Sequence, residues 1–104
     1  MLLTTTNSFP ERNVAAILGL VQGSTVRAKH VGRDLMAGLT MVIGGELKGY
    51  TEMLEDARKE STRRMTEDAE RIGADAVIGI RYNTTSVAGG AAEMLCYGTA
   101  VKLS

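Results

Sequence analysis

The sequence predicts an α+β subunit, a mixed or antiparallel sheet with two central helices packed on one face. Three observations predict it. Stretches of β-branched and aliphatic residues with strand-like alternation occupy both ends of the chain. The middle, from Arg33 to Ile72, changes to the helical period of about 3.6 residues. Short breaks rich in Gly, Asn and Ser separate these stretches with no linker or internal repeat, so residues 1–104 are expected to form a single domain.

Each element has its own warrant. Leu2 to Thr6 is a short β-branched start and is expected at a sheet edge. Asn7-Ser8-Phe9-Pro10 is turn chemistry. Val14 to Val21 is an unbroken apolar run, the pattern of a buried strand. Gln22-Gly23-Ser24 predicts a break, either a bulge or a hairpin turn. Val26, Ala28 and His30 then alternate with Arg27, Lys29 and Val31 in a further strand.

Leu35, Met36, Leu39, Val42 and Ile43 fall at helical spacing, and Gly44-Gly45 stops that first helix. In the second helix Leu54, Ala57, Ser61, Met65, Ala69 and Ile72 share one face. Its opposite face pairs Glu55 with Lys59, Glu60 with Arg64 and Glu67 with Arg71, each acid preceding its base by one turn. Gly73 closes the helix. Ala76 to Tyr82 is expected to be a central strand, in which Gly79 suggests a close neighbour. Asn83 to Gly90, rich in Thr, Ser and Gly, is expected to be a hairpin loop or a flexible tip. Glu93 to Leu103 is the last strand. One face carries Met94, Cys96, Gly98 and Ala100, and the other Leu95, Tyr97, Thr99, Val101 and Leu103. Both faces are mostly apolar, so a helix should cover one and a neighbouring subunit the other.

Composition narrows the function classes. Twelve basic residues balance twelve acidic ones, which argues against a nucleic-acid-binding surface. One Cys excludes a disulfide framework and a four-cysteine zinc site within one chain, and favours the cytoplasm. The longest apolar run, Val14 to Val21, is far shorter than the roughly 20 residues of a membrane-spanning helix. Aromatic residues make up only 4% of the chain, so each core side chain buries little area. A homo-oligomer is the ordinary remedy.

Several segments resemble the YbjQ-like family of small bacterial proteins. They are Thr4-Thr5-Thr6, Val21-Gln22-Gly23, Arg33-Asp34 with Gly38, Gly44-Gly45 with Tyr50, and Ala57-Arg58. Gly73-Ala74-Asp75-Ala76-Val77-Ile78-Gly79 and Gly98-Thr99-Ala100-Val101 complete the set, which runs nearly end to end. His30 and Gly32 depart from the residues usual at those places. The resemblance implies an α+β subunit of a ring-shaped homopentamer. It also implies a label of heavy-metal binding.

The candidate chemistry is sparse. Soft-metal donors are Cys96, His30 and the methionines Met36, Met41, Met53, Met65 and Met94. Met94 and Cys96, two apart on a strand, form the only local pair of suitable donors, and a plain core role is the favoured reading of both. No metal or cofactor is specified. A ligand site could involve Arg33 as an anion partner, with Tyr50 to orient the anion and Asp34 at a helix start. Gly44 and Gly45 could offer free backbone N–H groups, although no P-loop follows them. One His and no Gly-x-Ser-x-Gly give no triad. The leading expectation is a cytoplasmic, homo-oligomeric binding or structural assembly whose partner is itself, without nucleic acid or membrane. Heavy-metal binding is the alternative, and an enzyme with an inter-subunit site the third.

Overall fold

The computed structural model describes residues 1–28 and 48–104. They form strand β1 (Leu2–Leu3), strand β2 (Val14–Ala28), helix α1 (Lys48–Arg71), strand β3 (Ala76–Val87) and strand β4 (Ala91–Leu103). The sheet order is β1-β3-β4-β2. β1 runs parallel to β3, and the two other pairings are antiparallel. The architecture is therefore α+β with a mixed sheet, and one helix stands among the described residues where two were expected. The other expected helix, Arg33 to Ile43, lies outside the described residues.

Helix α1 buries Met53, Ala57, Ser61, Met65 and Ala69, a stripe with a step of four residues. It lies over β2 and β4 and barely touches β3. Val21, Met65, Ala69, Val77, Ile80, Cys96 and Ala100 form the main core between helix and sheet. A second cluster, Ala76, Val101 and Leu103, sits on the other side of the sheet, where Phe9, Val14 and Ile78 pack against it. The buried Ser61 hydroxyl donates to the Arg58 carbonyl one turn back, so this polar group costs the core no lost hydrogen bond.

Several expectations need correction. Gln22-Gly23-Ser24 does not break the chain, because β2 runs unbroken across it. Gly23 is there for proximity: a Cβ at this position would overlap the Ser61 carbonyl oxygen and the Met65 amide nitrogen. The loop from Asn83 to Gly90 is mostly strand, and the chain reverses only in the 3-10 turn Ala88–Gly90. Ile72 follows the end of α1 and is exposed rather than part of the buried stripe. The ion pairs shift in part: Arg64 takes Glu60 at 2.8 Å as expected, but Arg63 bridges Glu60 and Glu67, and Arg71 turns to Asp68. Two guanidinium groups on Glu60 hold its carboxyl well down, at about 2.

The expectation for Val14 to Val21 fails in an informative way. Only Val21 is buried, while Ile17 and Leu20 are each 71% exposed. Their register places Ile17 opposite Val101 and Leu20 opposite Thr99, on the sheet face away from α1. That face is apolar and, among the described residues, uncovered along much of β2. Gly79 (φ 61) occupies a register shift between Ile78 and Arg81 in β3, a local bulge and not a helix contact.

The end of β4 is tied to the turn that follows α1. The Asp75 carboxylate accepts the Leu103 backbone N–H at 2.9 Å and faces the Lys102 ammonium at 3.8 Å. The backbone hydrogen bond is the main reason its carboxyl is held below the ordinary 3.8.

Two outcomes follow for stability. Gly23→Ala forces α1 off β2 and should cost about 1–3 kcal/mol, lowering Tm by roughly 5–20 °C for a domain of this size. A Ser24→Ala control should melt within a few degrees of wild type, and equal melting of all three proteins would refute the close-contact account. Asp75 is ionised more readily folded than unfolded, so its contribution is present at neutral pH and disappears as pH falls through its lowered folded value. Thermal melts of wild type and Asp75→Asn should therefore differ most at neutral pH and converge as the pH falls through the lowered folded value.

Candidate functional site

The predicted ligand set cannot be assembled from the described residues. Arg33, Asp34, Gly44 and Gly45 lie outside them, as does His30. Tyr50 is in the first turn of α1 and half-buried.

The residues with usable chemistry that do converge are Met65 and Thr62 from α1, Tyr82 from β3 and Cys96 from β4. The Cys96 thiol donates to the Met65 thioether sulfur at 3.4 Å, and both residues are fully buried. The Thr62 hydroxyl donates to the Arg58 carbonyl at 2.7 Å. It has no second hydrogen, so Tyr82 donates to Thr62 across their 2.8 Å contact. This pair of hydroxyls closes the outer side of the thiol.

Helical and strand periods explain the meeting. Met65 belongs to the buried stripe of α1, and Cys96 to the β4 face beneath it. Tyr82 lies directly opposite Cys96 in the β3–β4 ladder. That register, which no local pattern in the sequence reveals, is what sequence reasoning missed. The expected Met94–Cys96 pair shares a buried face, yet the two have different partners, since the Thr84 hydroxyl points at the Met94 sulfur at 3.3 Å.

The electrostatics of this seam oppose metal capture. Burial is the largest influence on Cys96 and raises its thiol, more than the neighbouring Tyr82 and Thr62 hydroxyls lower it. Burial likewise raises the Tyr82 phenol. A soft-metal site needs a thiolate and an approach path. Here a protonated thiol faces a thioether inside a sealed core. Among the described residues no three His, Cys, Asp or Glu side chains are grouped to hold an ion. Cys96 and Met65 therefore do not fit a resident heavy-metal site within one subunit.

An open groove of about 880 Å³ runs along the outer flank of α1 beside Tyr82. Arg58, Lys59 and Arg63 line it, but so do Glu55, Glu67 and Glu70. The two signs balance, and the groove has no preference for an anion. Among the described residues no helix is long and apolar enough to cross a membrane.

These features define a small α+β fold with a sealed, sulfur-containing core and, among the described residues, an apolar sheet face left open. A family model described as "Putative heavy-metal-binding" matches residues 1–104. The chain belongs to that family, the YbjQ or UPF0145 proteins. A UPF0145 protein of Hahella chejuensis is 60% identical over 101 residues, spanning 97% of this chain and 97% of the relative. One from the archaeon Archaeoglobus fulgidus is 55% identical over 103 residues, spanning 99% and 95%. A crystal structure of a protein of unknown function from Pediococcus pentosaceus shares the fold, with a TM-score of 0.63 at 17% identity over 100% of this chain and 98% of that one.

The state of Cys96 is open to a direct check. A buried, protonated thiol should react with a disulfide reagent only when the core opens. Native protein at pH 8 is expected to react about tenfold or more slowly than the same protein in denaturant. Equal rates would place the thiol in contact with solvent.

Proposed function

We propose that this protein acts as a non-enzymatic homo-oligomeric assembly, built to bind or to scaffold, in which the open sheet face is covered by copies of the same chain. One observation supports this reading above the rest. Ile17 and Leu20 are each 71% exposed and Val26 60% exposed on a face that also carries Leu95 and Tyr97. A face of this kind on a soluble chain marks an interaction surface. Tyr97, Leu95 and Leu20 line a shallow hollow there with Gln22 and Asn83. Five copies in a ring is the arrangement that the family resemblance implies.

The same reading takes the protein to be cytoplasmic, with itself as partner and neither nucleic acid nor membrane bound, in keeping with its balanced charge and single Cys. A resident heavy metal draws no support from the buried Cys96–Met65 seam, since the thiol is enclosed in the core of its own chain against a thioether.

Native mass spectrometry, with and without Zn(II) and Cu(I), tests the proposal. Wild type should fly as a single closed oligomer without bound metal. Leu20→Asp should fall apart to monomers while keeping its helical circular dichroism, because a charge cannot be buried unpaired in an apolar interface. A monomeric wild type overturns the assembly, and one tightly held metal per subunit overturns the metal-free reading.

A further inference from the structure

The outer edge of β2 has no strand beyond it among the described residues, since β2 pairs only with β4. An edge of unpaired N–H and C=O groups is a template for a strand of another chain. This edge is not bare, however, because α1 reaches it. The Asp68 carboxylate accepts the Gln22 backbone N–H at 3.2 Å, and the Arg64 guanidinium donates to the Ser24 carbonyl at 2.6 Å. One acceptor and one donor are what a neighbouring strand would offer to those two groups. Here side chains of a helix supply them.

Two spacings make the match. Four residues rise about 6 Å along a helix, and two residues span about 6.6 Å of strand. Side chains one turn apart on α1 can therefore meet alternate residues of β2. The helix runs against the strand, with Arg64 over Ser24 and Asp68 over Gln22. Gly23 lies between the two contacts, and its missing side chain lets the helix come this close. Each capping group is also held in place. Arg64 Nε donates to the Glu60 carboxylate at 2.8 Å, and Arg71 pairs with Asp68. Glu60, Arg64, Asp68 and Arg71 thus form a line of alternating charge along α1.

Stability does not explain this arrangement well. Both capping bonds are exposed, and water could replace them at little cost. Water cannot keep out a strand. The register of β2 against β4 is regular from Leu20 to Ala28. Alternate residues of that stretch, in step with Gln22 and Ser24, turn their peptide groups to the outer edge. The caps fall in its middle and leave only Leu20 on one side, with Val26 and Ala28 on the other. No long run of open groups remains for an incoming strand.

We infer that Asp68 and Arg64 form an autoinhibitory clasp, in which α1 stands in for a missing strand and bars a strand of another chain from the β2 edge. The inference concerns the edge of the sheet and stands apart from the apolar face proposed above to meet other copies.

Amide exchange and assembly kinetics test it together. In Arg64→Ala/Asp68→Ala the Gln22 amide should exchange about tenfold or more faster than in wild type, while the amides of the central strand β4 keep their wild-type rates. The same variant, shaken at a fixed interval below its own Tm, should form thioflavin-positive β-fibres about fivefold or more sooner than wild type. Arg63→Ala/Glu67→Ala is the control. It also removes one base and one acid from α1, but these two residues pair with each other and neither bonds to β2. The control should match wild type in both measurements. If the double variant does not fold, Asp68→Ala alone gives the same two readouts. Unchanged exchange at Gln22 overturns the inference. So does acceleration at Gln22 and throughout β4 alike, which would mean general loosening, and so do fibres that appear no sooner than in the control.

Discussion

The contact between α1 and β2 governs the rest of this structure. The helix rests on the sheet where β2 has no side chain, at Gly23, and presents Ala57, Ser61 and Ala69 as small residues along its buried stripe. Close seating lets a helix with a sparse apolar face exclude water from the core, because few large side chains are needed to fill a narrow gap. It also decides which parts of the sheet stay open. A helix centred on β2 and β4 leaves the outer half of β3 and much of the opposite face without cover among the described residues.

Much of this was legible in the chain. The second helix announced itself through Ala57, Ser61, Met65 and Ala69 at turn spacing and a glycine stop at Gly73, and α1 ends at Arg71. The alternation of β4 separated Met94, Cys96, Gly98 and Ala100 from Leu95, Tyr97 and Thr99, and all four residues of the first set are buried. The errors share a cause. Gly23 resembles a chain break because a glycine needed for close packing and a glycine needed for a turn are identical in sequence. The run from Val14 to Val21 resembles a core strand because apolar patterning shows that a face avoids water, but not which molecule covers it.

The candidate chemistry was less legible, for a related reason. Cys96 was visible as a donor, but its partners were not, since Met65, Thr62 and Tyr82 reach it from two other elements through sheet register and helix placement. Local pairing favoured Met94, which is nearer in sequence and on the same face, yet has a separate partner in Thr84. The ligand set around Arg33 and Tyr50 rested on residues of which only Tyr50 is described. What the structure adds is environmental: the same sulfur that would attract a soft ion in water is protonated and enclosed in the core.

The thioether at the centre of that core has a consequence for chemical durability. Met65 receives the Cys96 thiol and is fully buried, so its sulfur is out of reach of dissolved oxidants while the helix is seated. Oxidation to the sulfoxide would turn an adaptable apolar group into a polar, chiral one directly beneath the helix. In a chain with so few aromatic rings, methionine supplies much of the bulk that fills the gap. The lifetime of the folded protein under oxidative stress is thus set by how seldom α1 lifts from the sheet, and a closely seated helix acts as the antioxidant shield of its own core.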